Sequence, residues 1–248
     1  VFHVEQIIKQ ECASWGVTIT DEQAEKLFAY ARFIIEENQK YNLTGLKTVE
    51  DVQRTLLAMS VKPLARFSVP RGTKFADVGT GSGVPGIVLA VCFPDLEGTL
   101  MDANNKKTEF IMKAAEMLSL GNVKAVNGRV EDLGRQSDLR ESFDWCFTRA
   151  FGPLYYSVEF GFPFLKQGGK LYVYSTFITD DLSSQMRKHV LSCGGSLVKT
   201  ENMPEYGIEK EGVLLIKEKK SPNLYPRKFP VVKRESLKIP ESEQNRKK

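Results

Sequence analysis

The residues with most chemical potential lie where an apolar strand pattern, Phe75-Ala76-Asp77-Val78, runs into Gly79-Thr80-Gly81-Ser82-Gly83-Val84-Pro85-Gly86. Alternate glycines let the backbone turn tightly and approach a ligand to van der Waals distance, which a Cβ would prevent. Asp77, two positions before the first glycine, can present a carboxylate to a cationic group such as an amino-acid ammonium. Asp102 closes the next strand pattern, Leu100-Met101-Asp102, where a carboxylate can accept hydrogen bonds from both hydroxyls of a ribose. Ala103 and Asn104, which follow it, are counted with it as candidate contacts. After the third strand pattern comes Gly128-Arg129-Val130-Glu131-Asp132, placed where an adenine would rest at the carboxyl ends of the strands. Val130 is assigned to packing on the ring, and Glu131 or its backbone to the adenine edge.

Two ligand classes compete for this loop. Gly81-x-Gly83-x-x-Gly86, with Asp102 about 20 residues on, also fits a nicotinamide dinucleotide. Asp77 divides the two, because a carboxylate beside the first glycine suits an ammonium and opposes a pyrophosphate. S-adenosylmethionine carries that ammonium and no phosphate, so methyl transfer is the better fit. Transfer from a sulfonium is an in-line displacement, in which holding the partners aligned contributes up to about 7–11 kcal/mol. Arg149, ending the fourth strand pattern, would point into the crevice and position the acceptor. The loop Arg149-Ala150-Phe151-Gly152-Pro153 lacks the Asp/Asn-Pro-Pro-aromatic pattern of exocyclic-amine methylation. Cys146, inside Trp145-Cys146-Phe147, reads as core rather than as the nucleophile that cytosine C5 chemistry needs.

These residues need a frame. The first 70 residues read as helical: Thr20 to Gln23 forms a capping box ahead of Leu27, Tyr30, Ala31, Ile34 and Ile35, and Thr48 to Asp51 forms a second. From Arg71 strands alternate with helices, with strands expected over 74–78, 97–102, 123–127, 143–148 and 170–175, and a helix over 106–119. A helix near 182–190 and two late strands, 196–201 and 212–217, then predict an antiparallel hairpin at the sheet edge. The fold class is therefore α/β, a seven-stranded doubly wound Rossmann-like methyltransferase sheet. It carries an N-terminal helical extension (1–70), a core (71–218) and a basic irregular C-terminal tail (219–248).

Composition narrows the classes. At 248 residues and 42% apolar the chain can bury one sizeable core, and no apolar run approaches the roughly 18–20 residues of a membrane span. No secretory signal pattern is visible, and the four scattered cysteines form no C-x-x-C pair, so a reduced cytoplasmic protein is expected. The two histidines, His3 and His189, are read as having no partner at ligand spacing, which argues against a metal. The net charge of +4 hides an asymmetry: 219–248 holds ten Lys/Arg against three Glu, leaving −3 for the rest. Four prolines predict extended chain there, and the charge suits a phosphate-seeking arm.

Several runs together resemble the bacterial 16S ribosomal RNA guanine-N7 methyltransferases, the glucose-inhibited division protein B family. They are Tyr41-Asn42-Leu43-Thr44, Asp77 to Gly86 with its Val-Pro-Gly ending, Asn105-Lys106-Lys107-Thr108-Glu109-Phe110, Arg129-Val130-Glu131, Phe143-Asp144 through Thr148-Arg149-Ala150, and Tyr225-Pro226-Arg227. The resemblance implies a donor site at Gly79, Val84, Val130, Glu131 and Arg149. It implies S-adenosylmethionine as cofactor, S-adenosylhomocysteine as product, and a guanine in the 530 loop of small-subunit RNA as substrate. The expected partner is that RNA or the 30S particle, with neither membrane nor metal, and a monomer. Lys106, Lys107, Arg227 and Lys228 are the candidate phosphate contacts. Guanine N7 has a lone pair and no proton to lose, so no general base is required. Gln53 to Ser60 lacks the His and Asp of the family helix, and Tyr174-Ser175-Thr176 stands where the family has Lys-Gly after strand five. On the residues alone three rivals stay open: a methyltransferase with a protein or metabolite acceptor, a nicotinamide-dependent oxidoreductase, and a non-catalytic RNA-binding module.

Overall fold

The computed structural model describes residues 2–65, 69–174, 183–200 and 212–239. In chain order the elements are α1 (Phe2–Ser14), α2 (Asp21–Tyr41), α3 (Val49–Asp51), a π-helical segment (Val52–Ala58), α4 (Met59–Ala65), β1 (Lys74–Val78), α5 (Gly86–Cys92), β2 (Glu97–Asp102), α6 (Asn105–Met117) and β3 (Val123–Asn127). There follow α7 (Val130–Leu133), β4 (Phe143–Arg149), α8 (Leu154–Gly161), a 3-10 turn (Phe162–Phe164), β5 (Leu165–Tyr174), α9 (Ser184–Ser192), β6 (Gly195–Thr200), β7 (Gly212–Lys217) and α10 (Phe229–Ser236). The strand order is β3-β2-β1-β4-β5-β7-β6, the seven-stranded α/β arrangement expected. Ser175, Thr176, Glu201 and residues 240–248 of the tail, all invoked above, lie outside the described residues.

The chain forms two compact units, Val1–Thr73 with Thr80–Asn127, and Lys74–Gly79 with Gly128–Lys248. In the first, β2 and β3 pair in parallel and the helices bury Ile8, Leu27, Tyr30, Ile34, Leu57 and Phe110. Helix α2 starts as its capping box predicts: Gln23 N–H donates to Thr20 Oγ1 at 3.1 Å, and Thr20 N–H donates to Gln23 Oε1 at 2.9 Å. Asn42 ends it in the left-handed region. The departing helix stretch winds as a π-helix over Val52–Ala58, with Gln53 fully buried and Arg54 paired to Glu11 and Glu50.

In the second unit β1, β4 and β5 run parallel, while β7 is antiparallel to both β5 and β6. The late strands therefore form the predicted edge hairpin. Phe75, Phe147, Phe160, Phe162 and Phe164 are fully buried in its core. Cys146 is also fully buried, and burial raises its thiol well above the ordinary range, as befits a core residue.

The described part of the tail is irregular from 219 to 228, as expected, and then forms a helix that was not expected. Pro230 sits in the first turn of α10, where a missing N–H costs nothing, and Val232 and Ser236 are buried. Ahead of that helix, Arg135 and Arg140 together donate to a carbonyl of every residue from Ser221 to Pro226. Guanidinium donors saturate backbone acceptors that neither helix nor strand would satisfy. Among the described residues, no helix is long and apolar enough to cross a membrane.

Candidate functional site

The strand order reverses between β1 and β4, and ligands of open α/β sheets bind outside the carboxyl ends of the strands at such a point. Both strands belong to the second unit. Asp77, near the end of β1, is fully buried. Gly79 follows with φ +67°, and the Phe151 ring lies where its Cβ would be, with Cε2 2.6 Å from that position. At the end of β4, Arg149 carries its guanidinium 5.6 Å from the centroid of the Tyr174 ring. Burial lowers the Arg149 pKa from its ordinary value, opposed by Tyr174 and by the charge of Asp77. Val130 and Glu131 are both buried on α7.

In the first unit the Asp102 carboxylate is already oriented. Its Oδ2 accepts from Gly81 N–H at 3.0 Å and its Oδ1 from Asn104 N–H at 2.9 Å. Each oxygen keeps acceptor capacity for a further donor. The Asn104 side chain caps α6 by accepting from Lys106 N–H at 3.0 Å. Ala103, Asn104 and Lys106 are exposed, and Lys107 is half-buried. Tyr30 donates its hydroxyl to the Ser82 carbonyl, and a Cβ on Gly83 would meet that hydroxyl at 2.7 Å. Gly83 therefore serves the packing of α2 on the loop, a role its sequence position did not reveal. Val84 is buried.

Two expectations meet partners from elsewhere in the second unit. Arg227 is already paired with a carboxylate: its backbone N–H and Nε each donate to Glu159 Oε1 at 2.9 Å, and its Nη2 donates to Oε2 at 2.7 Å and to Tyr155 Oη at 3.1 Å. Lys228 stays exposed, with a surface pair to Asp132 at 2.6 Å. His189 does have partners at ligand spacing. Glu159, His189 and Cys193 bring ligating atoms within 4.8 Å of one another, all buried. The i,i+4 pair His189 and Cys193 was readable in the chain, whereas Glu159 arrives through the packing of α8 on α9. Arg227 already neutralises both oxygens of that carboxylate.

His189 also carries a pH prediction. Its ring stacks on Tyr155 at 3.5 Å, and burial pushes its pKa down to about 4, against Glu159 and the Tyr155 carbonyl, which pull it up. The unfolded chain takes that proton near 6.5. The folded pKa is the lower one, so the stability from a neutral ring is complete above 6.5 and lost as pH falls through 6.5 toward 4. Urea unfolding is expected to show roughly 2 kcal/mol less stability at about pH 4.5 than at pH 7 from this group. His189→Phe should flatten that fall, and parallel profiles for the two proteins would refute the assignment.

With this geometry in view, the comparisons with known proteins decide the family. The family model described as rRNA small subunit methyltransferase G matches residues 23–208. This chain belongs to that family. A ribosomal RNA small subunit methyltransferase G from Brevibacillus brevis is 34% identical over 228 residues, covering 91% of this chain and 95% of the relative. The protein of the same name from Moorella thermoacetica is 32% identical, covering 86% and 90%. Among solved structures, a branched-chain polyamine synthase from Thermus thermophilus matches with a TM-score of 0.53 at 14% identity, over 78% of this chain and 65% of that one. That likeness shows the fold alone. The enzyme class expected from the glycine loop, a methyltransferase, is the class of the family.

Proposed function

We propose that this chain transfers the methyl group of S-adenosylmethionine to N7 of a guanine in small-subunit ribosomal RNA. The observation that carries the reading is the pairing of a buried carboxylate, Asp77, and a left-handed turn, Gly79, at the end of β1 with a half-buried guanidinium, Arg149, at the end of β4. When bound, the donor supplies an electrophilic methyl group on a sulfonium. The residues fit such a ligand. Asp77 offers the negative charge its ammonium needs, and Gly79, at φ +67°, turns the backbone directly after β1. Asp102, held by Gly81 and Asn104 with Ala103 beside it, offers acceptors for a ribose. Val130 offers an apolar surface for an adenine and Glu131 an acceptor for its edge. Arg149 orients the acceptor guanine or an adjoining phosphate through its planar fork. Lys106, Lys107 and Lys228 supply phosphate attraction; Arg227 supplies none. A nucleophile with a free lone pair asks these residues for alignment and no proton transfer.

Incubation with radiolabelled S-adenosylmethionine and either naked small-subunit RNA or assembled particles tests the reading. Label is expected as 7-methylguanosine, in at least one of the two arms. Label in another nucleoside, or donor binding with no labelled RNA in either arm, would overturn it.

A further inference from the structure

Arg149 is carried on an aromatic support that spans three strands. In the parallel register of β4 and β5, Phe147 partners Tyr172 and Arg149 partners Tyr174, so these four side chains project from one face of the sheet. The Tyr174 ring faces the guanidinium, 5.6 Å away. Tyr172 abuts that ring edge-on, with centroids 4.9 Å apart at 75°, and Phe147 lies 6.3 Å from it. Both tyrosines are buried, at 2% and 8% exposure. The third strand contributes by omission. Gly212 on β7 is the Cα partner of Tyr174, and a Cβ there would fall on the Tyr172 ring, 2.7 Å from its Cε1. Only a glycine lets Tyr172 lean far enough to brace Tyr174.

We infer that Tyr174 is a positioning residue for methyl transfer, its ring face fixing the plane and direction of the Arg149 guanidinium, with Tyr172 and Gly212 holding the ring. A long, flexible arginine side chain loses rotamer freedom when its fork stacks on an aromatic face, and the attraction is stronger away from water. Burial pushes the Tyr174 phenol well up, so it keeps its proton and acts through the ring rather than as a base. The opposite charge of Asp77 adds a second constraint on the same guanidinium. The inference rests on the role given above to Arg149.

A double-mutant cycle tests it, with kcat read at saturating RNA and donor. Tyr174→Met, which fills volume without a π face, is expected to lower kcat about 10- to 100-fold, the order caused by misplacing a reacting partner by about 1 Å. The thermal midpoint should change much less. Tyr174→Phe should restore most of the loss. In an Arg149→Ala background, Tyr174→Met should change kcat by less than about twofold, because the two act as one unit. Independent, multiplying effects, or no rescue by Phe, would overturn the inference while leaving Arg149 in place. Full activity of Arg149→Ala would instead show that the reading of Arg149 had failed, and the inference with it. If Tyr174→Met does not fold, Tyr174→Leu carries the same expectations.

Discussion

Gly79→Ala is expected to weaken S-adenosylhomocysteine binding roughly 30- to 100-fold, equivalent to about 2–3 kcal/mol, and to cut methyl transfer at least as much. Two costs combine at this position. The backbone sits at φ +67°, where a residue with a Cβ pays on the order of 1–3 kcal/mol. The new Cβ would also overlap the Phe151 ring, which itself packs edge-on to Phe160 at 6.0 Å. The turn must rotate or Phe151 must swing off, and either moves the backbone that follows Asp77. Thermal protection by S-adenosylhomocysteine measures the binding loss directly, and circular dichroism shows whether the fold survives. Adding Phe151→Leu relieves the overlap but not the dihedral strain, so the double variant should recover only part of the affinity. Unchanged binding by Gly79→Ala would remove this loop from the donor site.

The parts of this molecule that could be read from the chain are those set by local pattern. Strands β1, β2, β3 and β7 were expected at the bounds observed, because short apolar runs between turn residues specify them. Helix α2 was legible from Thr20 and Gln23, and the Asp102 carboxylate from its place after the second strand. What could not be read depends on partners far along the chain. The prolines of 219–239 suggested extended chain, yet Arg135 and Arg140, more than 80 residues earlier, clamp that segment. Arg227, read as a phosphate contact, has Glu159 against it. The roles of Phe151 and Gly212 are marked by no period; one ring fills the space beside Gly79, and one missing Cβ admits Tyr172. Gly83 likewise has a neighbour that no period marks, Tyr30 on α2.

The second large effect concerns that hidden pair. Glu159→Ala is expected to destabilise the protein by about 3–5 kcal/mol, the cost of breaking a buried ion pair from one side. Glu159 is fully buried, and it accepts three hydrogen bonds from Arg227, whose side chain is only 20% exposed. Truncation strands the guanidinium among Tyr155 and Tyr225 and frees the chain that leads into α10. Glu159→Gln keeps the shape and one acceptor, so it should cost less. Arg227→Met is expected to destabilise too, and by a route that can be seen separately: without the guanidinium, the Glu159 charge acts on His189 unopposed, and the His189 pKa should rise from about 4. The double variant Glu159→Ala with Arg227→Met removes both charges and should be more stable than either single one, as isolated buried charges cost more than absent pairs. Urea denaturation of the four proteins gives the cycle. Strictly additive losses would mean that the pair does not couple. Arg227→Met should also leave the salt dependence of RNA binding unchanged, while neutralising Lys106 and Lys107 lowers its slope, because a guanidinium already held by Glu159 releases no counterions from RNA.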